Sequence, residues 1–286
     1  MSHREPIVVT GANGNVGAPL VERLVALDQP VRAAVHGSAD GFAPGVQVVD
    51  FDFTDPGTWP AAFGGARALF VLRPPHISDV ESDIFPALEA ALEAGVEHVV
   101  TLSVMGAGDN PFLPHRRIEK QIEASEVGYT HIRPGFFMQN LTGAHRAGIR
   151  KHDEVIVPAG TGRANFVDTR DVADVAAVAL AEGEPHFGRA YEPTGPEALD
   201  YHAVAEALSA VLGRTITYNE PGLIAYIRHM REDTDYELGF ILFSCLLHTI
   251  VRMGRSERVT EDVRKVTGRP PRSMRQFVED HADVWR

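Results

Sequence analysis

The feature that most constrains this chain is the stretch from Pro6 to Gly17, PIVVTGANGNVG. Ile7, Val8 and Val9 form a short apolar run of β-branched residues, the composition of a strand buried on both faces. Gly11, Gly14 and Gly17 follow directly, with Asn13 and Asn15 between them. Gly11 suits the unusual backbone angles of a tight strand-to-helix turn, and Gly14 lacks the Cβ that would block a pyrophosphate. Gly17 lets the next helix pack close to the strand. A helix starting near Asn15, with Val16, Leu20, Leu24 and Leu27 on one face, would aim unpaired N–H groups at phosphates. Thr10, Gly11, Asn13, Gly14, Asn15, Val16 and Gly17 are the first candidate dinucleotide-binding residues. A glycine-rich turn with no ligand is the plain alternative; the strand before it and the amphipathic helix after it weigh against that.

The second strand is expected at Val31 to Val35. An acid near its end would hold the ribose hydroxyls of NAD. Here the positions are His36, Gly37 and Ser38, with no acid before Asp40. Without that carboxylate a 2′-phosphate is not repelled, so NADP(H) is preferred and NAD(H) remains possible, with His36 and Ser38 at the site. A third strand, Val46 to Val49, leads to Asp52 and Phe53. Asp52 is a candidate acceptor for the adenine amino group with Phe53 beside the ring, or merely a loop residue. A fourth strand, Ala68 to Leu72, delivers Leu72, Arg73 and Pro74 to the carboxyl edge where ligands lie in open parallel sheets. Val99 to Leu102 delivers Ser103 to the same edge. A helix over His115 to Glu126 and a sixth strand, Tyr129 to Arg133, complete an alternating βα pattern. That pattern predicts an α/β fold with a doubly wound parallel sheet.

The charge balance bounds the partners. With 39 acidic and 27 basic residues the net charge is −12, which argues against nucleic acid or an anionic membrane and leaves a small-molecule substrate. The single cysteine, Cys245, excludes an internal disulfide and fits a reducing compartment. Residues 1–5 are polar and Gly239 to Val251 is too short to span a bilayer, so a cytoplasmic protein is expected. The 13 histidines are scattered, with no HExxH or paired Cys, so no metal is expected. No Ser-His-Asp motif stands out.

Three stretches carry a resemblance: VTGANGNVG (9–17), HRRIEKQIEASEVGYTHIRPGFFMQN (115–140) and NFVDTRDVADVAAVAL (165–180). Together with the tail at 260–285 they resemble the NmrA-like family of atypical short-chain dehydrogenase/reductases. The resemblance implies a Rossmann-like fold binding NADP(H) or NAD(H). It also implies either a reductase of quinones, dyes, imines or aromatic ethers, or a redox-sensing regulator. Typical short-chain dehydrogenases carry Tyr-x-x-x-Lys on the helix before the sixth strand. Counting back from Tyr129, those positions here are His115 and Glu119, while Lys120 lies about 100° around the helix. Carbonyl/alcohol exchange by that machinery is therefore disfavoured. His115, with an ordinary imidazole pKa near ~6.5, is the candidate proton donor, a ribose ligand, or a surface residue at a helix start. Glu119 is expected to be solvated.

Beyond the sixth strand, Phe136, Phe137 and Met138 are candidate walls of an apolar substrate pocket, with Gln139 and Asn140 as polar contacts. Asp171 is expected to cap a helix over Val172 to Leu180. Helices are expected at Tyr201 to Leu212, 222–232 and 236–252. The last is apolar around nearly its whole circumference, so a lid, a pocket wall or a subunit interface would cover it. Ser273 to Gln276 reads as a capping box. The expected organisation is a dinucleotide-binding domain at 1–153, with 163–184 returning to it, and a smaller, mainly helical substrate lobe at 154–286.

Overall fold

A computed structural model of the chain describes residues 5–37 and 41–286. In chain order the strands are β1 (Ile7–Thr10), β2 (Val31–Val35), β3 (Gln47–Asp50), β4 (Ala68–Leu72), β5 (His98–Leu102) and β6 (Gly128–Ile132). The short β7 (Phe136–Phe137), β8 (Phe166–Val167) and β9 (Arg189–Tyr191) follow. The helices are α1 (Gly17–Ala26), α2 (Trp59–Phe63), α3 (Val80–Asp83), α4 (Phe85–Glu93), α5 (Pro114–Glu123) and α6 (Arg146–His152). After them come α7 (Thr169–Glu182), α8 (Tyr201–Leu212), α9 (Leu223–Asp233), α10 (Leu238–Arg252), α11 (Asp262–Thr267) and α12 (Met274–His281).

The chain forms two compact units. The first comprises residues 1–134, 169–193 and 262–269. Among its described residues, seven strands pair in the order β3-β2-β1-β4-β5-β6-β9, every neighbour parallel. This is the doubly wound order with its reversal between β1 and β4, the crevice where such sheets take dinucleotides. The central strands β1, β4 and β5 are mostly apolar and buried except at their ends, Leu72 and Leu102, as a parallel sheet covered on both faces requires. Phe51, Phe53, Phe63, Leu69, Ile84, Leu88, Ile118 and Ile122 belong to one core cluster of this unit.

The second unit comprises residues 135–168, 194–261 and 270–286. Its core gathers Met138, Leu141, Ile149, Phe166, Tyr201, Leu208, Tyr226, Met230, Phe277 and Trp285. The Trp285 indole donates to the Leu141 carbonyl at 2.9 Å, fastening the tail. The first division falls after Pro134, not after residue 153, because Met138, Leu141 and Ile149 face this core. The unit is mainly helical, with β7 and β8 as its two-stranded sheet.

Local signals place most boundaries. Ser273 and Gln276 form the capping box that opens α12, and Gly213 ends α8 in the left-handed region with φ 68°. Asp171 is not an N-cap: α7 begins at Thr169, so Asp171 lies in its first turn, where the helix dipole favours an acid. On α10, Ile241, Ser244, Cys245, His248 and Val251 form the buried stripe, while Leu242, Phe243 and Leu246 are more than half exposed. Among the described residues, that outer face is left without the expected cover. Among the described residues no helix is long and apolar enough to cross a membrane.

Gly17 sets the tightest approach in the first unit. A Cβ built there would lie 2.1 Å from the Gly11 carbonyl oxygen and 2.8 Å from the Ala12 Cα. Both are backbone atoms, so α1 itself would have to move. Gly17→Ala is therefore expected to destabilise the fold by about 1–3 kcal/mol, the usual cost of overpacking. Urea denaturation checks this, and an unchanged midpoint would show that α1 does not hold this position.

Candidate cofactor and substrate sites

The carboxyl ends of the strands bring the first unit's candidate residues to one edge of the sheet. Gly11 follows β1 with φ 62°, a backbone conformation that favours glycine. The Gly14 N–H then returns to the Gly11 carbonyl at 2.9 Å. A Cβ at Gly14 would meet only that carbonyl, at 3.2 Å, so a side chain there would fill the cradle instead of the core. No side chain caps α1; Ala18 and Leu20 already donate to the Gly14 and Val16 carbonyls and Pro19 has no N–H, so in the first turn it is the Gly17 N–H that is left to serve an anion. Asn13 and Asn15 are exposed beside it. This cradle fits a dinucleotide pyrophosphate.

Three residues of the expected set do other work. The Thr10 hydroxyl is buried, donating to the Phe70 carbonyl at 3.0 Å and accepting from the Leu72 N–H at 2.9 Å. It stitches β1 to β4 and has nothing left for a ligand. Val16 is buried in the core. The Phe53 ring is turned inward against Phe51, 4.8 Å away edge to face, so it does not lie beside an adenine. Asp52 uses Oδ1 to accept from the Thr54 N–H at 2.7 Å and hydroxyl at 2.8 Å. Those two bonds hold its carboxyl below the usual range. Its Oδ2 faces the exposed His36 at 3.7 Å. Ser38 lies outside the described residues. Arg32, buried, is tied to Gln47 and to the Ala62 and Gly64 carbonyls and takes no part.

Beyond β4, the Leu72 side chain lies over Gly11, 3.4 Å from where a Cβ would stand. Arg73 folds back on its own loop, donating to the Pro74 carbonyl at 3.1 Å, the Pro75 carbonyl at 3.4 Å and the Ile77 carbonyl. Its Nε is buried without a hydrogen-bond partner. Ser103 is buried, its N–H donating to the Ile132 carbonyl at 2.7 Å and its hydroxyl close to the Glu119 carboxylate.

His115 opens α5 half-buried. Burial, then the nearby Arg73 charge, pushes its imidazole down to about 4, against a smaller pull upward from Glu119. The ordinary value expected from the sequence is thus replaced by one at which the ring is neutral at pH 7. Glu119, one turn on, is fully buried and not solvated. Its carboxylate accepts two parallel bonds from Arg133, Nε and Nη2 each at 2.8 Å, and a third from Arg116 at 3.0 Å. Burial alone would raise its pKa; the Arg133 fork, the nearby Ser103 hydroxyl and the His131 charge outweigh burial and hold it at about 2. Sequence reasoning missed this pair. The signal was Arg133, a charge placed directly after a central strand.

The second unit holds the expected substrate residues. Met138 is buried in its core, so it walls no open pocket. Phe136 packs against that core, 6.5 Å from the Phe166 ring. Gln139 is buried, its amide donating to Asp168 at 2.9 Å. Phe137, half-buried, and Asn140, exposed, are the members of the set left with accessible side-chain surface that the core does not claim.

Glu119 yields an acid-stability test. Its carboxyl lies at about 2 in the fold against an ordinary 4.5. The stabilisation is therefore complete above pH 4.5 and drains away as pH falls toward 2. Glu119→Gln is expected to cost about 3 kcal/mol at pH 7, since Arg133 loses its buried partner. The gap between variant and wild-type urea midpoints should narrow from pH 5 to about pH 3. A constant gap would mean the charge is not what stabilises.

Comparison with known proteins agrees with this fold. The chain is 34% identical to the NAD(P)H azoreductase of Xenophilus azovorans, over 96% of this chain and 98% of that protein. The NADPH-bound NADPH-dependent quinone oxidoreductase of Escherichia coli shares the fold with a TM-score of 0.84 at 23% identity, over 96% and 99% of the two chains. The negative transcriptional regulator NmrA, solved with NAD, shares it with a TM-score of 0.77 at 18% identity, over 98% and 95%. Residues 3–238 match the NmrA-like family. A Rossmann-like sheet whose glycine turn fits a nicotinamide dinucleotide, and a match over most of its length, make this chain a member of the NmrA-like family.

Proposed function

We propose that this NAD(P)H-dependent oxidoreductase reduces a small, largely apolar acceptor of aromatic, azo, quinone-like or imine type. The observation that carries the reading is the pair standing where Tyr-x-x-x-Lys is expected. His115 is held neutral and Glu119 is held ionised, so neither is an acid at pH 7. Bound NAD(P)H supplies a hydride. An acceptor that spreads the resulting negative charge over a conjugated system needs no strong acid beside it and takes its proton from water. Neutral His115 has one ring N–H to orient a ligand. The 34% identity to an azoreductase supports a conjugated acceptor.

NADPH is the preferred donor in this reading. No acid follows β2 at His36 or Gly37, and His36 is exposed. Asp52 faces His36, and Thr54 already engages one of its oxygens.

Following absorbance at 340 nm tests the function. Oxidation of NADPH by members of a panel of azo dyes, quinones and imines is the expected result. Tight NADPH binding with no oxidation anywhere, and a protein partner recovered by pull-down, would make the chain a redox-sensing regulator instead. Gly14→Asp is expected to abolish NADPH binding in a fluorescence titration, since it fills the cradle with a charged side chain. At pH 7 only on the order of one His115 ring in a thousand is charged, given its pKa about 4. His115→Ala should therefore lower turnover by no more than about tenfold, the worth of one orienting hydrogen bond. A loss of about 10²–10⁴-fold would restore the general-acid role.

A further inference from the structure

The second unit brings together three metal-ligand types that lie far apart in the sequence. His152 ends α6, and His229 and Asp233 stand one turn apart at the end of α9. His229 Nδ1 lies 3.0 Å and His152 Nε2 3.1 Å from the same oxygen, Asp233 Oδ2. All three donor atoms fall within 4.8 Å of one another. Bonds of about 2.05 Å to a tetrahedral ion would set ligand edges of about 3.3 Å, so two edges are already close to size.

We propose that His152, His229 and Asp233 bind a divalent transition-metal ion of the zinc class. Two imidazoles and one carboxylate are the donor set that suits zinc and its neighbours rather than magnesium or calcium. Two helix C-termini, those of α6 and α9, converge here, and their dipoles favour a cation. His229 is nearly buried and Asp233 mostly so, which fixes two ligands, while the half-exposed His152 is free to close on the ion. With three protein ligands the fourth position stays open to water. Lys151 Nζ rests on the other carboxylate oxygen, Oδ1, at 3.2 Å, and its side chain is exposed enough to swing away.

A second group of similar spacing shows what a non-site looks like. Glu119, Glu123 and His131 also cluster. There Arg133 and Arg116 already hold the Glu119 carboxylate, and Arg116 also holds Glu123, so half-buried guanidiniums occupy the place of an ion. At His152, His229 and Asp233 the cation recorded on the carboxylate, among the described residues, is the exposed Lys151 in place of an arginine fork.

The test uses the full chain without a histidine tag, stripped with EDTA and titrated with Zn²⁺ against a chromophoric chelator. One equivalent bound with micromolar or tighter affinity is expected, with a rise in melting temperature that EDTA reverses. His152→Ala, at an exposed position, should keep the metal-free melting temperature and weaken binding at least tenfold. His152→Ala/His229→Ala should lose the equivalent. Lys151→Met should tighten binding several-fold, an effect that a purely structural ion pair would not produce. Co²⁺ should give a visible band in the wild type that the double variant lacks. Failure to bind one equivalent at micromolar Zn²⁺, or equal binding by the double variant, overturns the proposal.

Discussion

The first unit depends on how closely α1 passes the end of β1. A Cβ at Gly17 would stand 2.1 Å from the Gly11 carbonyl, so only hydrogen fits between helix and turn. That approach forces the chain to reverse at Gly11 with positive φ and lets Gly14 close back on the same carbonyl. At the same level, Thr10 clamps β1 to β4 through two hydrogen bonds. The strand pair at the reversal of the sheet is thereby locked side by side. The uncapped end of α1 follows from the same turn.

Strands and glycines were legible because each obeys a local rule. A β-branched run flanked by turn residues can be little else than a buried strand, and the spacing of Gly11, Gly14 and Gly17 restricts the turn itself. Side-chain direction was not legible. Thr10 and Phe53 stand beside the expected site by chain position, yet each turns inward, Thr10 to the Phe70 carbonyl and Phe53 into the core cluster that also holds Phe63 and Leu69. Met138 and Gln139 fail in the same way: one fills the second unit's core and the other binds Asp168. Residue type predicts polarity, and position predicts the edge of the sheet. Which way a side chain points depends on packing between segments far apart in sequence.

The same distinction explains the metal-ligand cluster. No local spacing announces it, because His152 comes from a different helix than His229 and Asp233. Half of it was nonetheless present as a pattern. A histidine four residues before an aspartate on a helix shares one face with it. Motif scanning looks for complete ligand sets in one segment and passes over half-sets completed in space.

At the start of α5, two residues one turn apart reach opposite ionisation through the same burial. Removing either group from water penalises its charged form. For His115 the larger charge effect comes from Arg73, of the same sign as an imidazolium, so burial and that charge together outweigh the pull of Glu119 and the ring stays neutral. For Glu119 the nearest charges are Arg133 and Arg116, of opposite sign and in hydrogen-bond contact, so the penalty is overcome. Tyr-x-x-x-Lys uses a lysine to lower the pKa of a tyrosine. In this chain the later position holds a carboxylate saturated by guanidiniums, which has no proton to give and whose pull on the imidazole is too small to overcome burial. The helix therefore offers one neutral ring N–H and no acid at neutral pH.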